Sequence, residues 1–310
     1  MSSLLSVRMS LFLSVAVASG AACTPASVGG GEGGEGGGDV DEPGADAGPG
    51  DEVDSPDGSP EAPEGEVVSM EALVLQSQVE PYRGDQPDLA EQAAVEKVQR
   101  ALTEEGFPAE ADGWFGNGTA TAYANWQKSL GYSGLGANGI PGPSSLAALA
   151  EGRFEIDGMI EVGAHTTFTG KTVNQRTKDM LIAADALVAH AIALSQGSYN
   201  PGGVGASAGT HDGGGCVDIS VSSLDNTQRL QTVKALRTVG FAAWLRSPDQ
   251  GPWPYHIHAV AIGDTDLAIA ARNQVADYYV GKNGLASHAA DDTPASYRAP
   301  FTVWETYQNP

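Results

Sequence analysis

The chain has 310 residues, enough at about 100–200 residues per domain for two compact domains and their tails. Sixteen Lys and Arg against 39 Asp and Glu give a formal net charge of -23, which excludes a nucleic-acid surface because phosphate binding needs clustered cations. No apolar run reaches the ~18 residues that a membrane-spanning helix requires. At the N-terminus, Arg8 precedes an apolar run at 11–18 and the small residues Gly20-Ala21-Ala22 before Cys23. This is the layout of a secretory signal peptide over residues 1–22. The next segment, 23–68, reads as a disordered linker. Between Thr24 and Glu66 it holds 13 acidic residues and 13 Gly, with no Lys, Arg or aromatic residue, so it has too little apolar surface to offset its ordering entropy. Order is expected to begin between Ser69 and Asp88.

A first module is predicted over residues 86–151. Ala94, Val95, Val98, Ala101 and Leu102 fall at helical spacing, and Gly106 ends that helix. A turn, Asp112-Gly113-Trp114-Phe115-Gly116, leads to a second helix over 119–130 with Ala122, Trp126 and Leu130 on one face. Ser144-Ser145 can cap a third over 146–150. Trp114, Phe115 and Trp126 are expected in the core.

The second module is predicted over 155–285. Residues 154–165 read as strand and connection, 173–193 as one long helix, and 196–210 as a surface loop leading to His211. From Cys216 to Val221 the chain alternates, with Val217, Ile219 and Val221 facing one way and Cys216, Asp218 and Ser220 the other. Asp225-Asn226 cap a helix to Val239, and 241–245 is a strand. Residues 255–262 alternate again, so His256 and His258 share a face about 6.6 Å apart at ~3.3 Å per residue. The remaining 25 residues, 286–310, read as a tail. The fold class expected is α+β, a small helical domain followed by a mixed domain on a small antiparallel sheet.

Three of the six histidines and one carboxylate thus converge on a metal site. His211, Asp218 and the His256-Ile257-His258 pair are the candidate ligands, since imidazole and carboxylate suit zinc (Zn2+) and three protein ligands would leave one open position. The Gly213-Gly214-Gly215 run lets His211 curl back toward Asp218. Cys216 shares that face and reads as a small core filler, and Asp212 as a partner that orients His211. Gln196, Ser198 and Arg246 are candidate substrate-binding residues, and Trp253 can wall the cleft.

Three resemblances accompany these readings. The small residues before Cys23 resemble the lipobox of bacterial lipoproteins, which implies acylation of Cys23 and a lipid anchor in a membrane; cleavage after Ala22 without a lipid is the alternative. Val98-Gln99, the 112–116 turn, Trp126-Gln127 and Gly142-Pro143 resemble the peptidoglycan-binding repeat of bacterial wall hydrolases, which implies peptidoglycan as a partner and a place in the cell envelope. His211, six residues, Asp218, and then His256-Ile257-His258 resemble the zinc peptidases that hydrolyse D-Ala-D-Ala and related wall-peptide bonds, together with the hedgehog signalling domain. That resemblance implies a D,D-carboxypeptidase or endopeptidase with an ion on His211, Asp218 and His258. The carboxylate that many relatives place shortly before the last ligand is absent, and His256 fits the catalytic proton-transfer role instead. Were His256 a fourth ligand, the sphere would close and the protein would be a non-catalytic wall-binding lipoprotein with a structural zinc.

Overall fold

The computed structural model describes residues 67–82 and 91–309; the signal peptide, Cys23 and nearly all of the acidic linker lie outside them. The first element precedes the expected start of order. Val67–Ser69 forms β1, which pairs in parallel with β2, Glu155–Asp157. Ser69 then caps α1, Met70–Val79, its hydroxyl accepting from Ala72 N at 3.3 Å. This helix went unread because it is buried on most sides and carries no clean amphipathic stripe: Met70, Leu73, Val74 and Val79 are buried, and so are Gln76, Ser77 and Gln78.

The helices of the first module fall where expected, but Trp114, in its turn, is only half-buried and Leu130, past the end of its helix, is exposed. α2 spans Gln92–Glu104, α3 Asn117–Ser129 and α4 Pro143–Ala150. Val95, Val98, Leu102, Phe115, Tyr123, Leu146 and Leu149 are fully buried among them, and Trp126 packs with its indole N–H donating to Ser145 O at 3.0 Å. Ser145 lies inside α4 rather than at its cap; its hydroxyl bonds back to the backbone of Gly142, the residue that caps the helix. Two buried glutamines organise the turns. Gln99 Nε2 lies 2.8–2.9 Å from Asp112 Oδ1, Trp114 O and Thr119 Oγ1, which share its two N–H groups, and Gln99 Oε1 accepts from Gly113 N at 3.0 Å. Gln127 donates to Ile140 O at 2.8 Å and accepts from Gly139 N at 2.9 Å. Gly113 and Gly139 both have positive φ, and a Cβ at either would press on the backbone of the facing helix, so each turn needs glycine.

A β-hairpin, β3 His165–Phe168 and β4 Lys171–Asn174, opens the sheet region. The predicted helix over 173–193 is corrected here. Val173 belongs to β4, Asn174 caps α5 by accepting from Thr177 N at 2.8 Å, and α5 runs only over Gln175–Asp185. Asp185 Oδ1 takes Ile192 N at 2.6 Å, turning the chain away, and Leu187 is left exposed. The main sheet is antiparallel in the order β5 Leu194–Gln196, β6 Cys216–Ser220, β8 His256–Ala261, β7 Phe241–Arg246. α6, Asn226–Thr238, is capped by Asp225 as read from the sequence. Together with α5 it covers the face of Val217, Ile219, Ile257 and Ala259.

The opposite face is covered over half its length. α7, Ile269–Tyr279, and α1 bury Cys216, Ala242, Trp244 and Val260 in a core continuous with that of the helical region. The C-terminal segment is packed as well. α8, Trp304–Gln308, buries Trp304, while Glu305 pairs with Arg176 at 2.8 Å and Asp291 with Arg237 at 2.9 Å. The fold is mixed α+β, as expected.

Candidate metal centre

The uncovered half of the sheet face carries the candidate site residues. Strand register sets Asp218 opposite His258 and Ser220 opposite His256, and β7 adds Trp244 and Arg246 beside those two histidines. His211 arrives from the preceding loop, whose backbone is tied down by Tyr199 N to Gly213 O at 2.8 Å and Asn200 N to His211 O at 2.9 Å. The three glycines fit a tight approach. A Cβ at Gly213 would collide with the Asp266 carbonyl, and one at Gly214 or Gly215 would press on Asp264. The curl inferred from the glycine run is therefore a packing requirement.

His211, Asp218, His256 and His258 all meet at one carboxylate oxygen. Asp218 Oδ1 lies 2.9 Å from His258 Nδ1, 3.4 Å from His211 Nε2 and 3.9 Å from His256 Nε2. The outer nitrogens of the rings are also engaged. His211 Nδ1 faces Gly197 O at 3.0 Å, and His258 Nε2 faces Gln274 Oε1 at 2.8 Å. Gln274 is itself oriented, since its amide nitrogen donates to Gly284 O at 3.0 Å. Both His211 and His258 thus have an oxygen acceptor at each nitrogen. Such a ring is either an imidazolium or a neutral imidazole whose inner lone pair meets a cation. The residues fit a metal ion: outer carbonyl partners fix the tautomer that presents an inner lone pair.

The charge balance agrees with the geometry. Burial opposes charge on His211, but Cys216 and Asp218 raise its pKa to about 11, and the same groups raise that of buried His258 to about 9. Asp218, despite burial, is held well below the ordinary carboxylate range by hydrogen bonds from both rings. Burial pushes the Cys216 thiol up, yet the two histidines bring it down to about 6. Cys216 is therefore more than the filler read from the sequence. It is fully buried, its Sγ lies 3.7 Å from His258 Nε2, and with His211 and His258 it forms a buried group able to hold a metal. His256 differs from the other two rings. Burial lowers its pKa, and its Nδ1 faces Pro254 O at 2.9 Å, which leaves Nε2 as a lone pair directed at the cluster.

A cavity of about 680 Å³ opens over these groups and is lined by the other predicted residues as well, Gln196, Ser198, Arg246 and Trp253. Arg246 is a buried residue. Its Nη1 donates to Asn283 O at 2.7 Å, its guanidinium lies 4.9 Å from the Trp244 ring centre, and Nη2 has no protein partner. Gln196 Nε2 and Trp253 Nε1 are likewise buried without partners. The Ser198 hydroxyl donates to Cys216 O at 2.8 Å, so only its lone pairs remain for a ligand. Gln196 and Ser198 lie on the buried start of the 196–210 segment, which therefore is not surface loop throughout. Asp212 does not orient His211; it accepts from Gly202 N at 3.4 Å, and the Gly197 carbonyl takes the orienting role. Gln274 was missed because a glutamine on a helix 16 residues past His258 gives no local signal. The spacing of Ala271 and Val275 on its helix was the available clue.

No curated protein and no solved structure matches the chain. A family model described as a peptidoglycan binding domain matches residues 91–149. The match covers α2 to α4 with both glutamine-organised turns, and it gives the chain a peptidoglycan-binding region, peptidoglycan as a partner and an association with the cell wall.

Proposed function

We propose that this protein is a metal-dependent peptidase, with zinc as its ion, that hydrolyses peptidoglycan stem peptides or cross-links after the 91–149 region has brought it to the wall. The observation that carries the reading is the meeting of His211 Nε2 and His258 Nδ1 at Asp218 Oδ1, with oxygen acceptors behind both rings. His211, Asp218 and His258 would hold the ion, and a bound dication supplies Lewis acidity toward a peptide carbonyl and toward water. His256 serves as the proton carrier. Its Nδ1–H is fixed on Pro254 O, so Nε2 is free to take a proton from water and deliver it to the leaving amide nitrogen. Burial keeps that ring neutral and ready as a base. Arg246 Nη2 and Gln196 Nε2, unpartnered in the cavity wall, are placed to bind a substrate carboxylate and a peptide carbonyl.

The chain's first 22 residues act as an export signal, Cys23 as the acylated residue, and the acidic segment as the tether to a membrane. The working domains are those read from the sequence, wall-binding over 86–151 and peptidase over 155–285. A second reading draws on Cys216: were its thiolate and His256 both to join His211 and His258, the site would be closed and structural. Incubating the protein with muropeptides, with and without chelator, and identifying products by mass spectrometry decides between them. Chelator-sensitive cleavage is expected. Stoichiometric zinc with intact muropeptides would establish the closed site.

A further inference from the structure

A second concavity, of about 520 Å³, lies on the helical region between the end of α2 and the outer face of α3, within the size range of small-ligand sites. Its walls include Phe107 and Pro108 on one side and Asn117, Thr121 and Asn125 on the other. The last three stand one helical turn apart on α3, spanning about 12 Å at 1.5 Å per residue. Gly106 and Gly118 open the groove, for a Cβ at either would meet nothing within 4 Å. Phe107 is braced from behind by Trp126, ring centres 6.0 Å apart.

The hydrogen-bonding capacity left over is specific. Asn117 donates to Pro81 O and Thr121 to Asn117 O, which leaves Asn117 Oδ1 and Thr121 Oγ1 as acceptors. Asn125 Oδ1 accepts from Lys128 at the rim at 3.2 Å, which leaves its amide N–H groups as donors. No lining side chain is charged. Stem peptides carry carboxylates and call for cations; an acetamido sugar offers one N–H, one C=O, hydroxyls and a methyl group, all neutral. The whole groove lies inside the residues matched to the peptidoglycan binding domain. We infer that this groove binds the N-acetylated amino-sugar chain of the wall, with the acetyl methyl against Phe107 and Pro108 and the polar groups on the Asn117–Thr121–Asn125 face. The inference rests on the wall-targeting half of the proposed function and is independent of the metal.

Calorimetric titration of the full chain with an N-acetylglucosamine tetramer, with its fully de-N-acetylated form and with free stem peptide tests the idea. The tetramer is expected to bind, and Asn125→Ala and Thr121→Val each to weaken it about 3- to 10-fold, one lost hydrogen bond apiece. The de-N-acetylated form is expected to bind at least about tenfold more weakly, although its positive charge would favour it on so acidic a chain. Tetramer binding that ignores both substitutions, competition by stem peptide, or preference for the cationic form would overturn the inference. So would a wild type that sediments with intact wall sacculi yet ignores the tetramer. Failure to sediment with sacculi would instead remove the wall-targeting reading itself.

Discussion

The helical region and the uncovered sheet face handle buried polar atoms in opposite ways. Around α2 and α3, the Gln99 and Gln127 side chains meet loop groups with both their amide nitrogen and their amide oxygen. Over β6, β7 and β8, three histidine rings crowd one oxygen of Asp218, and Gln196 Nε2, Arg246 Nη2 and Trp253 Nε1 have no protein partner. Buried polar groups in folded proteins are nearly always paired, so a cluster of exceptions marks a place where something else completes the set. One network is complete within the fold; the other leaves capacity that the proposed ion and substrate would use.

Breaking the second network should have the largest consequence. His211→Ala is expected to lose stoichiometric metal and all cleavage, while Asp218→Asn should lose most of its metal by equilibrium dialysis. His256→Ala separates chemistry from binding: cleavage should fall by about 10²- to 10⁴-fold, the usual range for a proton-transfer group, with metal content unchanged. Loss of metal in His256→Ala would mean that this ring is a ligand.

The same acceptors make metal binding sensitive to pH. In the metal-free protein His258 holds its proton up to about pH 9 and His211 up to about pH 11. An ion must displace both protons, so apparent affinity should rise with pH by up to about a hundredfold per unit below pH 9, about tenfold for each proton. It should rise about half as steeply, on a logarithmic scale, between 9 and 11. A flat profile between pH 6 and 8, measured by competition with a chelator of known pH dependence, would show that His211 and His258 are not both ligands.

Much of this contrast was legible in the sequence. Alternation at 216–221 and 256–262 placed Asp218, His256 and His258 on one face, because half-buried strands force a period of two. Helical spacing found α2, α3 and α6 for the same kind of reason. The partners that arrive from far along the chain could not be read this way. Gln274 behind His258, Asn283 holding Arg246 and α1 packed with α7 all depend on tertiary contacts between segments that carry no mutual signature. Arg246 was a candidate substrate-binding residue in the sequence, but nothing there showed that Trp244 and Asn283 hold it. The stop of α5 at Asp185 was hidden too, since the apolar stripe continues past the residue whose side chain turns the chain.

Disrupting the satisfied network should cost stability and leave the chemistry alone. Gln99→Ala strands Gly113 N inside the fold, and the loss is expected at about 1–3 kcal/mol by denaturant titration. Metal content should be unchanged. Gln196→Ala should do the reverse, raising KM for muropeptides with little change in stability, because its amide nitrogen has no protein partner and its oxygen accepts only from the Ser207 hydroxyl, at 3.2 Å. If both variants lose stability equally, the distinction between the two regions fails.

The smallest expected effect comes from the seam between them. Asn138, inside the wall-binding match, donates to Thr265 O at 2.9 Å and Leu267 O at 3.2 Å, while Gln78 bonds Asp264 O and Gly263 N. That 263–267 loop also receives Gly214 N on the Asp266 carbonyl, two residues from Cys216 and three from His211. The helical region therefore buttresses the loop that seats a candidate ligand. Asn138→Ala, which removes those two hydrogen bonds and the one that Asn138 Oδ1 accepts from Ile140 N, is expected to cost about 1–2 kcal/mol and to weaken metal binding only slightly. Isolating residues 155–310, which keeps Trp304 and the Glu305–Arg176 and Asp291–Arg237 pairs, removes α1, Asn138 and Gln78 together and exposes the apolar face of α7. The isolated piece should lose cooperative unfolding, whereas residues 67–310 should retain it. A 155–310 fragment that folds cooperatively and holds a metal would show that the two regions are independent after all, and that the shared loop is a contact without consequence.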